Sequence, residues 1–146
     1  TISDFQGKAQ EGSDAVAITA SGFAFKAGFR RRGNAASINI IVYCTFDKRS
    51  SWMKEIGKTQ YVLQHEQHHF DISYLGALDF MERLKQIKFT VKNYNEKLNA
   101  AYQGSIDKME ALQHKYDGET QNGIAKEEQI KWNQKIEKEL QAVLVR

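Results

Sequence analysis

The chain changes hydrophobic period partway along, and that change decides what it can fold into. From Ala15 to Lys26 and from Ala36 to Phe46 it is rich in Val, Ile, Phe and Tyr, and Ile38, Ile40, Val42, Cys44 and Phe46 fall at every second position. Such alternation puts one face of a strand against a core. Between these strands, Gly28 to Asn34 holds Gly28, Gly33, Asn34 and the triplet Arg30, Arg31 and Arg32, which reads as a hairpin turn. From about Thr59 onward the apolar residues recur at three- and four-residue steps, predicting three helices near Thr59–Lys88, Tyr94–Tyr116 and Ala125–Leu144. The second presents Leu98, Tyr102, Ile106, Met109 and Leu112 on one face, and the third Ile130, Ile136, Leu140 and Val143. No Pro interrupts them. The predicted fold class is α+β, an N-terminal antiparallel β-sheet packed on a three-helix bundle, as one domain over residues 1–146.

Inside the first helix, His65-Glu66-Gln67-His68-His69 spells HExxH. Residues four apart on a helix are neighbours on one face, so His65 and His69 can share one metal ion. Glu66 then reaches a water beside the metal without being a ligand, the general-base position of metalloproteases. Three of the chain's four His fall in these five residues. His68 is also one turn from His65, but only the four-residue pair leaves Glu66 in that position, so His68 is read as a flank or rim residue.

A catalytic zinc site takes three protein ligands and keeps one position open. The third is expected from the loop Tyr116 to Asn122 or from nearby His114, in a stretch that Gly, Asp and Asn mark as a loop. Asp117 is the first choice, then Glu119, then His114. Asp71 lies on another helix face and is expected to hold an outer hydrogen bond instead. Tyr116 is a candidate oxyanion donor, and the strand near Val42 a candidate edge for an extended substrate.

Composition limits the other classes. Hydrophobic residues make up 41% and charged residues 27%, values of a globular chain rather than a disordered one. With a net charge of +3 and the Arg triplet its only basic cluster, the chain offers no nucleic-acid groove. No apolar run is long enough for a transmembrane segment, and the first residues show no leader peptide. Cys44, the one cysteine, excludes an internal disulfide and sits on the strand face of Ile40 and Val42, where burial is expected. Ser50 or Ser51 is expected to cap a short turn through Trp52 and Met53.

HEQHHFDI at His65 to Ile72 resembles a bacterial family of predicted secreted zinc-dependent proteases, carried as a domain of unknown function. Asp4-Phe5-Gln6-Gly7, Phe46, Ser51-Trp52, Tyr116-Asp117, Thr120, Gln129 and Trp132 extend the likeness over nearly the whole chain. The resemblance implies a zincin-like, exported or lipid-anchored domain, periplasmic or at the cell surface, with a peptide or protein substrate and zinc. The family pattern places a His two residues beyond the Thr, where this chain has Asn122. If that His is the family's third ligand, Asn122 marks its loss. Two further readings therefore stand beside the peptidase: a zincin-like scaffold whose site has decayed, and a metal-binding protein in which His65, His68 and His69 hold a metal without chemistry.

Overall fold

The computed structural model describes the backbone of residues 1–32 and 35–144. The α+β expectation holds, with antiparallel strands first and three helices after them. Among the described residues there are two sheets in place of one, each of two strands. Strand β1 (Ala17–Ile18) pairs with β4 (Trp52–Met53), and β2 (Ser21–Arg32) pairs with β3 (Ala35–Phe46).

The β2–β3 register sets Phe23 opposite Cys44, Phe25 opposite Val42 and Ala27 opposite Ile40. Those pairs share one face, and Phe23, Phe25, Ile40, Val42 and Cys44 pack into the core, while Ile41 and Tyr43 face outward as period two requires. Burial pushes the Cys44 thiol above its ordinary pKa, in keeping with a structural cysteine. The expected turn from Gly28 to Asn34 is corrected: Gly28 pairs with Asn39, and the Arg triplet continues the ladder to Arg32. Phe29, two beyond Ala27, continues the inward alternation and stacks on Tyr94 at 4.7 Å, but the adjoining Gly28 and Arg triplet make it read as a turn. Gly33 and Asn34, at the tip, lie outside the described residues. Trp52 and Met53 are likewise strand rather than turn. Ser51 donates to the Asp47 carbonyl and accepts from the Ala20 amide, locking β4 beside β1.

Helix α1 (Gln60–Lys85) begins where the Thr59 hydroxyl accepts from the Val62 amide, an ordinary N-cap. Its buried stripe runs through His65, Ile72, Gly76 and Phe80. A Cβ on Gly76 would lie 2.9 Å from the Phe23 ring and 3.0 Å from Met109, so glycine is what lets α1 approach both β2 and helix α2 (Tyr94–Thr120). Tyr102 closes that junction by donating to the Phe23 carbonyl at 3.0 Å, its ring 5.5 Å from that of Phe80. Helix α3 (Lys126–Leu144) covers the other side with Trp132 and Ile136. Ile130, expected on that inner face, is 56% exposed. The inward stripe is Gln129, Trp132, Ile136 and Leu140, at helical spacing from which Ile130 stands apart.

The largest departure is the end of α2. Residues 116–120, expected in a loop, are its last turn and a half. Gly118 is exposed there and weakens the helix by only about 1 kcal/mol, whereas Tyr116 and Thr120 are fully buried and hold it. Gln121, Asn122 and Gly123 then turn the chain with φ of 51°, 53° and 85°.

Candidate metal centre

The helical end of α2 brings Asp117 to the two HExxH histidines. Its Oδ1 lies 3.0 Å from His69 Nε2 and 3.4 Å from His65 Nε2, and the two nitrogens are 3.3 Å apart. One ligand-capable atom from each residue falls within 4.8 Å of the others.

Proton positions follow from the neighbours. Gln113, one turn before Asp117, places its Nε2 2.8 Å from the His69 carbonyl, which can only accept. Its Oε1 therefore faces His69 Nδ1, at 2.6 Å, and Nδ1 must carry the hydrogen. Gln129 on α3 works the same way on His65. Tyr116 donates its hydroxyl to the His65 carbonyl, so it accepts from Gln129 Nε2 at 2.7 Å, which turns Gln129 Oε1 to His65 Nδ1 at 2.8 Å. Both histidines are thus held as Nδ1–H donors with their Nε2 lone pairs aimed at one point. Asp117 Oδ1, buried and without a hydrogen-bond partner, faces the same point.

Three electron pairs converging in a mostly buried place repel one another unless a cation lies between them. Tetrahedral zinc with Zn–N near 2.0–2.1 Å spaces its nitrogens by about 3.3–3.4 Å, so this donor set fits such an ion. The electrostatics agree. Burial alone would push the Asp117 carboxyl up, but His65 and His69 hold it well below its ordinary range. Burial pulls His69 down, yet Asp117 and Gln113 outweigh that and raise it. Both shifts register a position that favours positive charge.

Glu66 is buried, and its Oε2 accepts from the Thr19 hydroxyl at 2.6 Å. With His65, His69 and Asp117 it lines a cleft of about 650 Å³ between β1, α1 and α2 with the following turn. That turn is fitted closely: a Cβ on Gly123 would meet His65 Nδ1 at 3.3 Å, and Tyr61 donates to the Gly123 carbonyl at 2.6 Å.

Other expected residues lie elsewhere. Glu119 takes the Trp132 indole N–H at 2.8 Å and is not in the cluster. His114 and Asn122 line the cleft without joining it. Tyr116 is no oxyanion donor, since it is fully buried, stacked on His65 at 4.7 Å with its hydroxyl already used. His68 is no rim residue: it is 4% exposed and its Nδ1 pairs with Asp71 at 2.9 Å. The outer hydrogen bond of Asp71 therefore serves His68, not the two facing histidines. Val42 is not on the cleft; the strand along it is β1. Sequence reasoning gave no role to Gln113, Gln129 or Thr19.

A family model described as "Bacterial protein of unknown function (DUF922)" matches residues 44–123, more than half of the chain. The chain belongs to this bacterial DUF922 family. The matched span of the DUF922 domain runs from β3 through Gly123, and so contains both histidines, Glu66, Gln113 and Asp117 while leaving out Thr19 and Gln129. No curated protein and no solved structure matches the chain. Among the described residues no helix is long and apolar enough to cross a membrane.

Proposed function

We propose that the chain is a zinc-dependent hydrolase of peptide bonds, with His65, His69 and Asp117 as ligands and Glu66 as general base. The observation that carries this reading is the convergence of three metal-capable atoms, the two imidazoles oriented by Gln113 and Gln129. When bound, zinc polarises a carbonyl and lowers the pKa of water to about 7. The remaining work belongs to the protein. Thr19 holds one oxygen of the Glu66 carboxylate, leaving the other to take the proton of the attacking water and pass it to the departing amine. Gln113 and Gln129 keep both imidazoles in one tautomer, so that the neutral rings present Nε2 to a metal.

A peptide is favoured over other substrates by the cleft wall. Lys54 donates to the Val16 carbonyl at 2.8 Å, and antiparallel alternation then turns the N–H and carbonyl of Ala17 away from β4. Among the described residues that edge of β1 has no paired strand, so an extended main chain can add to it beside Glu66. The exported location implied by the resemblance belongs to the same proposal.

The test compares untagged wild-type protein with Glu66→Gln on a mixed peptide library read by mass spectrometry. Zinc-dependent cleavage lost in Glu66→Gln at unchanged zinc content is the expected result. Zinc binding with no cleavage by the wild type would favour the non-catalytic metal-binding reading instead.

A further inference from the structure

The cleft carries a charge pattern that the rest of the chain does not. The chain has 21 Lys and Arg against 18 Asp and Glu, yet its cleft is lined by Glu66, Glu110 and Asp117 with no Lys or Arg among the described residues. If a divalent ion offsets Glu66 and Asp117, Glu110 is left over, so the wall stays negative even with the metal bound. Apart from the metal itself, an anionic side chain or a phosphate ester would find no Lys or Arg along the wall to replace its water.

The same cleft gathers exposed apolar side chains. Val16 is 38% exposed, Ile18 43%, Tyr61 37% and Ile124 76%, and all four line it. Val16, just before β1, and Ile18 within it are two apart and both line the cleft, with Ala17 between them buried at 6%. Tyr61 and Ile124 are brought to the cleft by the Tyr61 bond to Gly123 and by the left-handed turn. Apolar groups left in water around a polar floor mark a place that a ligand covers.

Resting on the hydrolase reading, we infer that the substrate is an extended polypeptide segment with apolar side chains on either side of the scissile bond, and that acidic side chains there are rejected. Val16, Ile18, Tyr61 and Ile124 are the specificity surface, and Glu110 is the group that repels anions. Selectivity thus combines apolar burial with a built-in penalty for the wrong charge.

The experiment separates this inference from the hydrolase reading by measuring binding apart from turnover. Zinc-bound Glu66→Gln is titrated by fluorescence anisotropy with a Leu/Phe-flanked peptide and with the same peptide carrying Asp and Glu at those positions. The apolar peptide is expected to bind about tenfold more tightly or better. Ile18→Asp, at an exposed position, should weaken it several-fold, and Glu110→Lys, also exposed, should narrow the gap by strengthening the acidic peptide. Equal binding of the two peptides, or no binding of either, overturns the inference, and so does wild-type cleavage sites as rich in acidic as in apolar flanks. Selective binding with no wild-type cleavage would sustain the inference for the cleft while removing the hydrolase reading.

Discussion

Gln113→Ala isolates the device that orients the site. Gln113 is only partly buried, so its loss leaves the core intact, unlike that of Gln129, which is 1% exposed. The change removes the acceptor 2.6 Å from His69 Nδ1 and the donor 2.8 Å from the His69 carbonyl. The imidazole can then rotate or move its hydrogen to Nε2, where it opposes the metal. Removing an outer partner of this kind typically weakens metal binding by about 10- to 100-fold, or roughly 1.4–2.7 kcal/mol at about 1.4 kcal/mol per decade. The cost to folding should stay near that of a net hydrogen bond, about 0.5–1.5 kcal/mol. Gln113→Glu keeps the acceptor for His69 Nδ1 but loses the donor to the His69 carbonyl, and should bind zinc more tightly than Gln113→Ala. Competition against a chromophoric chelator near neutral pH reads the affinities, and urea denaturation of the metal-free proteins reads stability. Zinc affinity of Gln113→Ala within about twofold of wild type, where about tenfold or more is expected, would refute the tautomer argument, as would a Gln113→Glu as weak as the Ala variant.

Gly123→Ala places a Cβ 3.3 Å from His65 Nδ1 at a φ of +85°; a loss of about 1–2 kcal/mol in urea stability is expected, with weaker zinc binding in the same chelator assay. Asp79 ties α1 to α2 through Lys108 and Ser105, and also pairs with Arg83 on its own helix. Burial would raise its pKa, but those three partners hold it at about 2 instead of 3.8. A lowered folded-state pKa gives stability that is present above the unfolded value and lost as pH falls toward the folded one. Asp79→Asn should therefore cost on the order of 1 kcal/mol near pH 6, after allowance for screening at a partly exposed group, and the difference from wild type should shrink as pH falls from about 4 toward 2. A gap that does not change with pH over that range would mean that the ion pairs contribute nothing.

The parts of the fold legible in the sequence are those whose pattern is local. Ile38 to Phe46 alternates because one sheet face meets α1, and His65 and His69 are one turn apart wherever that helix packs. The hairpin beyond Ala27 was hidden because Gly28 and three Arg read as a turn, while its one apolar anchor, Phe29, meets its partner Tyr94 only through the packing of α2. Gly118 hid the end of α2 for a related reason: an exposed glycine costs a helix little when Tyr116 and Thr120 are buried on its other side. Asp117 could be put first among three candidates but not singled out by geometry, since its place beside the histidines depends on how α2 crosses α1. Gln113 and Thr19 left no readable signal, and Gln129 entered only through the family resemblance, with no role attached. Neutral amides and hydroxyls are common on helix and strand surfaces, and only tertiary packing shows which atom each presents.

The central claim is that His65, His69 and Asp117 together hold one divalent metal ion. Zinc stoichiometry and chelator-competition affinity of the untagged protein, measured side by side for wild type, His69→Ala, Asp117→Ala and Asn122→His, test it most directly. The structure predicts one zinc per chain in the wild type, a comparable large loss of affinity in His69→Ala and Asp117→Ala, and little change in Asn122→His, because Asn122 lies on the cleft wall outside the cluster. Undiminished zinc affinity in Asp117→Ala, or tighter binding in Asn122→His alone, would contradict the assignment.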